Sequence, residues 1–150
     1  MLGEAADVLG DSELRQETAA LSVRIAEAAA EGRQTDGSLA YERDGGRVDG
    51  DRHWWVQAEA VVGWTYAYRI TGNATFLDYA TRTWAYIQSR LIDYTNGEWF
   101  WSRKTNGLVD KSQDKAGPWK CPYHNGRLCL TIIEDFDHNQ PAEQKTKGQS

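Results

Sequence analysis

Apolar and small residues recur at helical spacing in several stretches of this chain. Leu14, Ala19, Leu21, Ile25, Ala28 and Ala29 mark a helix that Asp11 or Ser12 can cap and that Gly32 is placed to end. Ala58, Val61, Val62, Thr65 and Tyr68 predict a second helix closed by Gly72. Asn73 caps a third, with Phe76, Leu77, Ala80, Trp84, Ile87 and Leu91 on one face, and a further helix spans His124 to Phe136. Between helices the pattern shortens. Leu39 to Glu42 before Asp44-Gly45-Gly46, and Glu98 to Ser102 before Lys104-Thr105-Asn106-Gly107, each predict a short strand and a hairpin turn.

These elements repeat. Gly10 and Gly72 lie 62 residues apart, as do Asp44 and Asn106, while Val48 and Val109 are separated by 61. A near-constant shift at separate places marks copies of one unit: helix, turn, helix, short hairpin. About two and a half copies are present. The first starts inside its leading helix, and the third stops after one helix. A solenoid or ring segment is therefore expected rather than a finished domain. Residues 1–136 carry the pattern, and 137–150 form a polar tail expected to be mobile.

Charge and composition narrow the function. The chain has 150 residues and a net charge of −5, without the basic patch that phosphate binding needs, so nucleic acid is excluded as the main partner. No apolar run approaches the ~20 residues of a membrane span, and Met1-Leu2-Gly3-Glu4 is unlike a signal peptide, which makes a cytoplasmic location the expectation. The two cysteines, Cys121 and Cys129, are expected to be free and mostly buried, with no zinc site. Seven tryptophans and seven tyrosines are the informative excess. Aromatics at that density fill a core or line a pocket that stacks flat ligands such as sugars.

Two segments combine such aromatics with titratable groups: Arg52-His53-Trp54-Trp55-Val56-Gln57-Ala58-Glu59-Ala60 and Lys115 to Arg127, which includes Trp119-Lys120-Cys121-Pro122-Tyr123-His124-Asn125-Gly126-Arg127. Each opens the first helix of a repeat, so a ring would gather them at one mouth. Together with Gly97-Glu98-Trp99-Phe100-Trp101, they resemble the N-acylglucosamine 2-epimerase superfamily, most closely its cellobiose 2-epimerase branch. The resemblance runs from about Glu4 to Ile133 and covers the C-terminal third or so of that family's domain. It implies an all-α fold, here an incomplete (α/α)6 barrel formed by an arc of helical hairpins with short β-hairpins.

The resemblance also implies chemistry. These enzymes open the sugar ring, remove the proton at C2 to give an enediol and return a proton to the opposite face, using histidines and no metal or organic cofactor. Imidazole suits the task because its ordinary pKa near 6.5 lets it accept and donate near neutrality. His124 matches a catalytic histidine, Trp119 a sugar-stacking tryptophan, and Trp54, Trp55 and Glu59 the paired-tryptophan motif. Arg127, one helical turn from His124, is expected to orient the pocket or pair with Glu59. The family's second catalytic histidine, in a His-x-x-Glu segment, its ring-opening histidine and a substrate-binding arginine have no counterpart here, and Thr131 stands where relatives commonly carry an acid. The expectation is therefore the C-terminal portion of a sugar 2-epimerase acting on β-1,4-disaccharides such as cellobiose, inactive alone. Its expected partners are a small sugar and either another copy of itself or the missing N-terminal portion.

Other readings give different roles. An N-acylglucosamine epimerase, an aldose-ketose isomerase and an inactive carbohydrate-binding fragment all fit the same residues. Glycoside hydrolysis needs two carboxylates across the scissile bond, and Glu59 is the one plausible buried candidate. His53 is expected to be structural, His138 to lie in the tail, Trp84, Trp99 and Trp101 to be packing residues, and Asp110 to Lys115 to be a solvated loop.

Overall fold

The computed structural model describes residues 2–138. Five helices dominate: α1 (Leu2–Leu9), α2 (Ser12–Ala29), α3 (Trp54–Thr71), α4 (Ala74–Tyr86) and α5 (Tyr123–His138). The repeat becomes visible at its tight turns. Gly10 and Gly72 both adopt φ 68°, a left-handed conformation that a side chain would strain. The residue after each then caps the next helix. The Asp11 carboxylate accepts from Glu13 N and Leu14 N at 3.0 Å, and Asn73 Oδ1 accepts from Thr75 N at 3.0 Å. Two antiparallel helical hairpins, α1–α2 and α3–α4, are thus built by the same chemistry, and α5 packs on α3 as the first helix of a third unit.

The buried helix faces differ from the periodicity. On α2 the small residues Thr18 and Ala26 are buried, while Leu21 and Ile25 are exposed. Small side chains let α2 approach α3 closely, and Trp64 Nε1 of α3 donates to the Ala26 carbonyl at 3.1 Å. On α3 the inward face is Trp54, Gln57, Ala58, Val61, Trp64 and Ala67, rotated from the predicted stripe, with Val62, Thr65 and Tyr68 half-buried. On α4 Phe76 and Ala80 are buried as expected, but Leu77 is exposed and Trp84 half-buried. A π-turn over Ile87–Leu91 then carries Ile87 and Leu91 into the core, beside Trp64 and Leu128.

The strands are shorter than predicted. β1 (Glu42–Asp44) and β2 (Arg47–Asp49) pair around Gly45-Gly46, both at positive φ. Leu39 precedes the hairpin; the fully buried Gln57 amide brackets it instead, accepting from Leu39 N at 2.8 Å and donating to Leu39 O at 2.9 Å. β3 (Arg52–His53) pairs not with its own unit but with β4 (Ser102–Arg103) of the next. This cross-unit sheet sets the start of α3, because Trp54 N donates to Trp101 O at 3.0 Å.

The segment after β4 is not a simply solvated loop. Lys104 bridges Asp51 at 3.2 Å and Asp110 at 2.8 Å, and its ammonium helps to bring the buried Asp110 carboxyl down to about 2. Both cysteines are free but exposed rather than buried: Cys121 lies in the loop before α5 and Cys129 on that helix's outer side. His138 ends α5 rather than lying in a tail; residues 139–150 lie outside the described residues.

Candidate active site

Two helix openings make the site. His53 is extended, so α3 begins at Trp54, and Trp55 and Glu59 fall one turn apart on one face. Pro122 precedes α5 and accepts from Gly126 N at 2.8 Å, which places His124 and Arg127 on the face turned to α3. The two faces meet. His124 Nδ1 lies 2.7 Å from Glu59 Oε1, although 65 residues separate them in the chain. Arg127 Nη2 donates to Glu59 Oε2, so one carboxylate holds an imidazole on one oxygen and a guanidinium on the other.

Aromatic rings frame this triad. The Trp55 ring lies 5.9 Å from His124, and Tyr41 meets Trp55 edge-on at 6.1 Å. Tyr123 stands 5.0 Å from His124 and under the Arg127 guanidinium at 5.1 Å. Beside them opens a concavity of about 1090 Å³, walled by Trp55 and Glu59 of α3, Tyr123 and Arg127 of α5, Tyr41 and Ile25; His124 stands behind Glu59 and Tyr123 rather than in this wall. Loss of water around His124 pushes its imidazole below the ordinary 6.5. That loss favours the neutral ring, and in the tautomer whose Nδ1–H donates to Glu59 the Nε2 lone pair is left to act as a base.

Two of the expected sugar-facing residues sit elsewhere. Trp54 is a core residue, 3% exposed, packed on Trp101 at 4.6 Å and edge-on to His124 at 6.2 Å. One residue is 100° of helical rotation, so the paired tryptophans cannot both face the concavity. Trp119 is 87% exposed and is not brought to the wall that Trp55, Glu59 and Arg127 form. Gly117 and Lys120 exchange backbone hydrogen bonds at 3.1 and 3.2 Å, and that turn sends Lys120 inward and leaves Trp119 outside. His53 is half-buried on the Tyr41 ring at 4.1 Å, and desolvation lowers its pKa against the pull of Asp51. Trp99 and Trp101 pack as expected.

Sequence reasoning missed Tyr41 and a polar cluster behind α5. Glu98 Oε1 accepts from Lys120 Nζ at 2.8 Å and from Asn125 Nδ2 at 3.0 Å, and the buried Lys120 ammonium sits 5.4 Å from the centre of the Trp54 ring. Burial works against ionisation of Glu98, but Lys120, the Trp99 N–H and Asn125 outweigh it and keep the carboxyl below its usual pKa. The one available signal was an acid and a lysine inside the two matched motifs, which composition alone makes unremarked surface charges. Among the described residues no group of three His, Cys, Asp or Glu side chains is placed to hold a metal ion, and no helix is long and apolar enough to cross a membrane.

Residues 8–126 match the family model of N-acylglucosamine 2-epimerase (GlcNAc 2-epimerase). The chain belongs to the N-acylglucosamine 2-epimerase family. It is 46% identical over 135 residues to a cellobiose 2-epimerase of Bacteroides fragilis, a match covering 89% of this chain and 34% of that protein. A sugar epimerase structure from a ruminal bacterium superposes with a TM-score of 0.84 at 38% identity, covering 89% of this chain and 35% of that one. The structure of cellobiose 2-epimerase from Bacillus thermoamylovorans B4167 gives 0.76 at 42% identity, over 87% and 34%. This family member thus spans about a third of the length of its curated relatives. Its helical hairpins are an arc of the (α/α)6 barrel.

Proposed function

We propose that this chain forms one side of the active site of a sugar 2-epimerase that acts on the reducing-end residue of β-1,4-disaccharides such as cellobiose, with His124 as one of two proton-transfer groups. The observation that carries the reading is the 2.7 Å contact of His124 Nδ1 with Glu59 beside the Trp55 ring. In the open-chain sugar, Nε2 takes the C2 proton. The C2–H electron pair becomes the C1=C2 bond while the C1=O π pair moves onto O1, and a proton taken from water by that oxygen completes the enediol. Glu59 holds the imidazolium that forms, and Arg127 holds Glu59 in place. Trp55 offers an aromatic face for the ring, and the exposed Trp119 is proposed as an outer platform. Return of a proton to the opposite face needs a second positioned group. His53, committed to Tyr41, is a poor candidate, so the chain alone is expected to bind sugar without turning it over, and the other group to come from a partner surface.

Hydrolysis fits less well. Both oxygens of Glu59 are engaged by His124 and Arg127, which leaves neither turned to a leaving group. Cellobiose titrated into the chain should perturb the Trp55 indole and His124 imidazole NMR signals, with no deuterium entering C2 in D2O. His124→Ala should leave the Trp55 response nearly intact. N-acetylglucosamine and mannose, run in parallel, report the other sugar classes. Failure of all three sugars to move Trp55 or His124 would refute the reading.

A further inference from the structure

Glu98 is the one non-glycine residue among those described that occupies the left-handed region, at φ 63°. A side chain there is disfavoured, and Glu98 lacks the short polar arm with which asparagine or aspartate relieves the cost. The neighbouring Gly97 is also left-handed at φ 74°, so the turn could have placed its second glycine here. What the strained residue does is present one oxygen, Oε1, to three donors: its neighbour Trp99 N at 2.9 Å, Lys120 Nζ at 2.8 Å and Asn125 Nδ2 at 3.0 Å.

Both distant partners lie on the segment that delivers His124. Lys120, its side chain 2% exposed, also donates to the Lys115 carbonyl at 2.6 Å, which closes the loop on itself. Lys115 in turn reaches back to Asp93 at 2.7 Å and to the Gly97 carbonyl at 2.9 Å, at the base of the same turn. Asn125 is the residue after His124 in the first turn of α5 and is buried. Holding the loop at Lys120 and the helix at Asn125 fixes α5 in both translation and rotation about its axis. Rotation is what decides whether His124, 100° away around the helix, meets Glu59.

We infer that Glu98 is a positioning residue: by tying Lys120 and Asn125 to the Gly97–Glu98 turn, it fixes the His124 imidazole on Glu59. The inference rests on His124 being the proton-transfer group of the site. A merely structural alternative is that Glu98 only neutralises the buried Lys120 ammonium. The two make different predictions for the imidazole. A charge-neutralising role is restored once Lys120 is also removed, whereas a tether is not.

The experiment uses the full chain and three proteins: wild type, Glu98→Ala, which removes the shared acceptor oxygen, and the double variant Glu98→Ala/Lys120→Met. Long-range ¹H–¹⁵N NMR of His124 reports which ring nitrogen carries the proton, and thermal unfolding reports stability. Wild type should show a single Nδ1–H tautomer at pH 7.5. Glu98→Ala should convert it to a tautomer mixture, with the two ¹⁵N shifts converging and the thermal midpoint falling. The double variant should recover most of the midpoint but keep the mixed tautomer. A double variant with the wild-type His124 pattern overturns the inference, and that arm decides the matter even if Glu98→Ala alone does not fold. No sugar is needed for this measurement. A negative titration with all three sugars would therefore refute the proposed function without moving the tautomer result.

Discussion

His53 and His124 share a residue type, and each sits in one of the two motif segments, yet their surroundings give them separate work. His53 is held against Tyr41, and His124 against Glu59. Loss of water lowers both imidazoles below 6.5, so in each case the folded chain prefers the neutral ring. The sign of the linkage follows. The unfolded chain binds the extra protons as pH falls, so this contribution to stability is complete above pH 6.5 and is lost as pH drops toward the folded-state values. Urea midpoints measured from pH 7.5 to 5.5 should fall, and His53→Gln should flatten that slope. At this scale His124, Glu59 and Arg127 were legible as residues because a specific motif contains them. Trp54 was not, since two adjacent tryptophans look alike until the helix phase is known.

The helical hairpins show how little sequence an element boundary needs. Gly72 leaves α3 through the left-handed region, and Asn73 starts α4 by accepting from Thr75 N at 3.0 Å. Asn73→Ala should cost about 1 kcal/mol for the lost cap. Gly72→Ala should cost roughly 1 to 2 kcal/mol, because the added Cβ opposes φ 68° although nothing lies within 4 Å of it. Chemical denaturation of the two variants measures both, and an unchanged Gly72→Ala midpoint would show that the junction can relax. The strands were less legible. Glu98 to Ser102 was predicted to form a local hairpin, and the turn is there, with Lys104 N donating to Leu108 O at 2.8 Å. The pairing of β4 with β3 joins Ser102 to His53, and no local pattern could specify a partner that far along the chain.

Across the whole molecule, apolar side chains remain exposed at both flanks of the arc. Val8 at 89% and Leu9 at 71% lie on the first hairpin and Ile133 at 57% on α5, whereas the exposed Ile25 and Leu130 line the concavity. Buried apolar area stabilises by about 25 cal/mol per Å², so these flanks favour contact with another surface. Sedimentation velocity of the purified chain should show the average mass rising above 16.9 kDa with concentration. Leu9→Glu with Ile133→Glu should suppress that rise while leaving the far-UV circular dichroism unchanged. A concentration-independent monomer would show instead that the flanks are tolerated in water.

The sequence by itself determined what depends on neighbours along the chain: the capped helices, the 62-residue repeat, the family and the motif residues at two helix openings. These follow from local backbone preferences and side-chain chemistry, which residues a few positions apart express before any packing occurs. Tertiary structure alone decided which way each side chain faces. Packing of α3 against α2, α4 and α5 turned Trp54 into the core and Trp55 to the concavity, and the Gly117–Lys120 turn sent Lys120 inward and Trp119 out. It also gave Glu98 its partners, 22 and 27 residues away. A carboxylate's role is set by which donors reach it, and only the folded chain brings those donors within 3 Å.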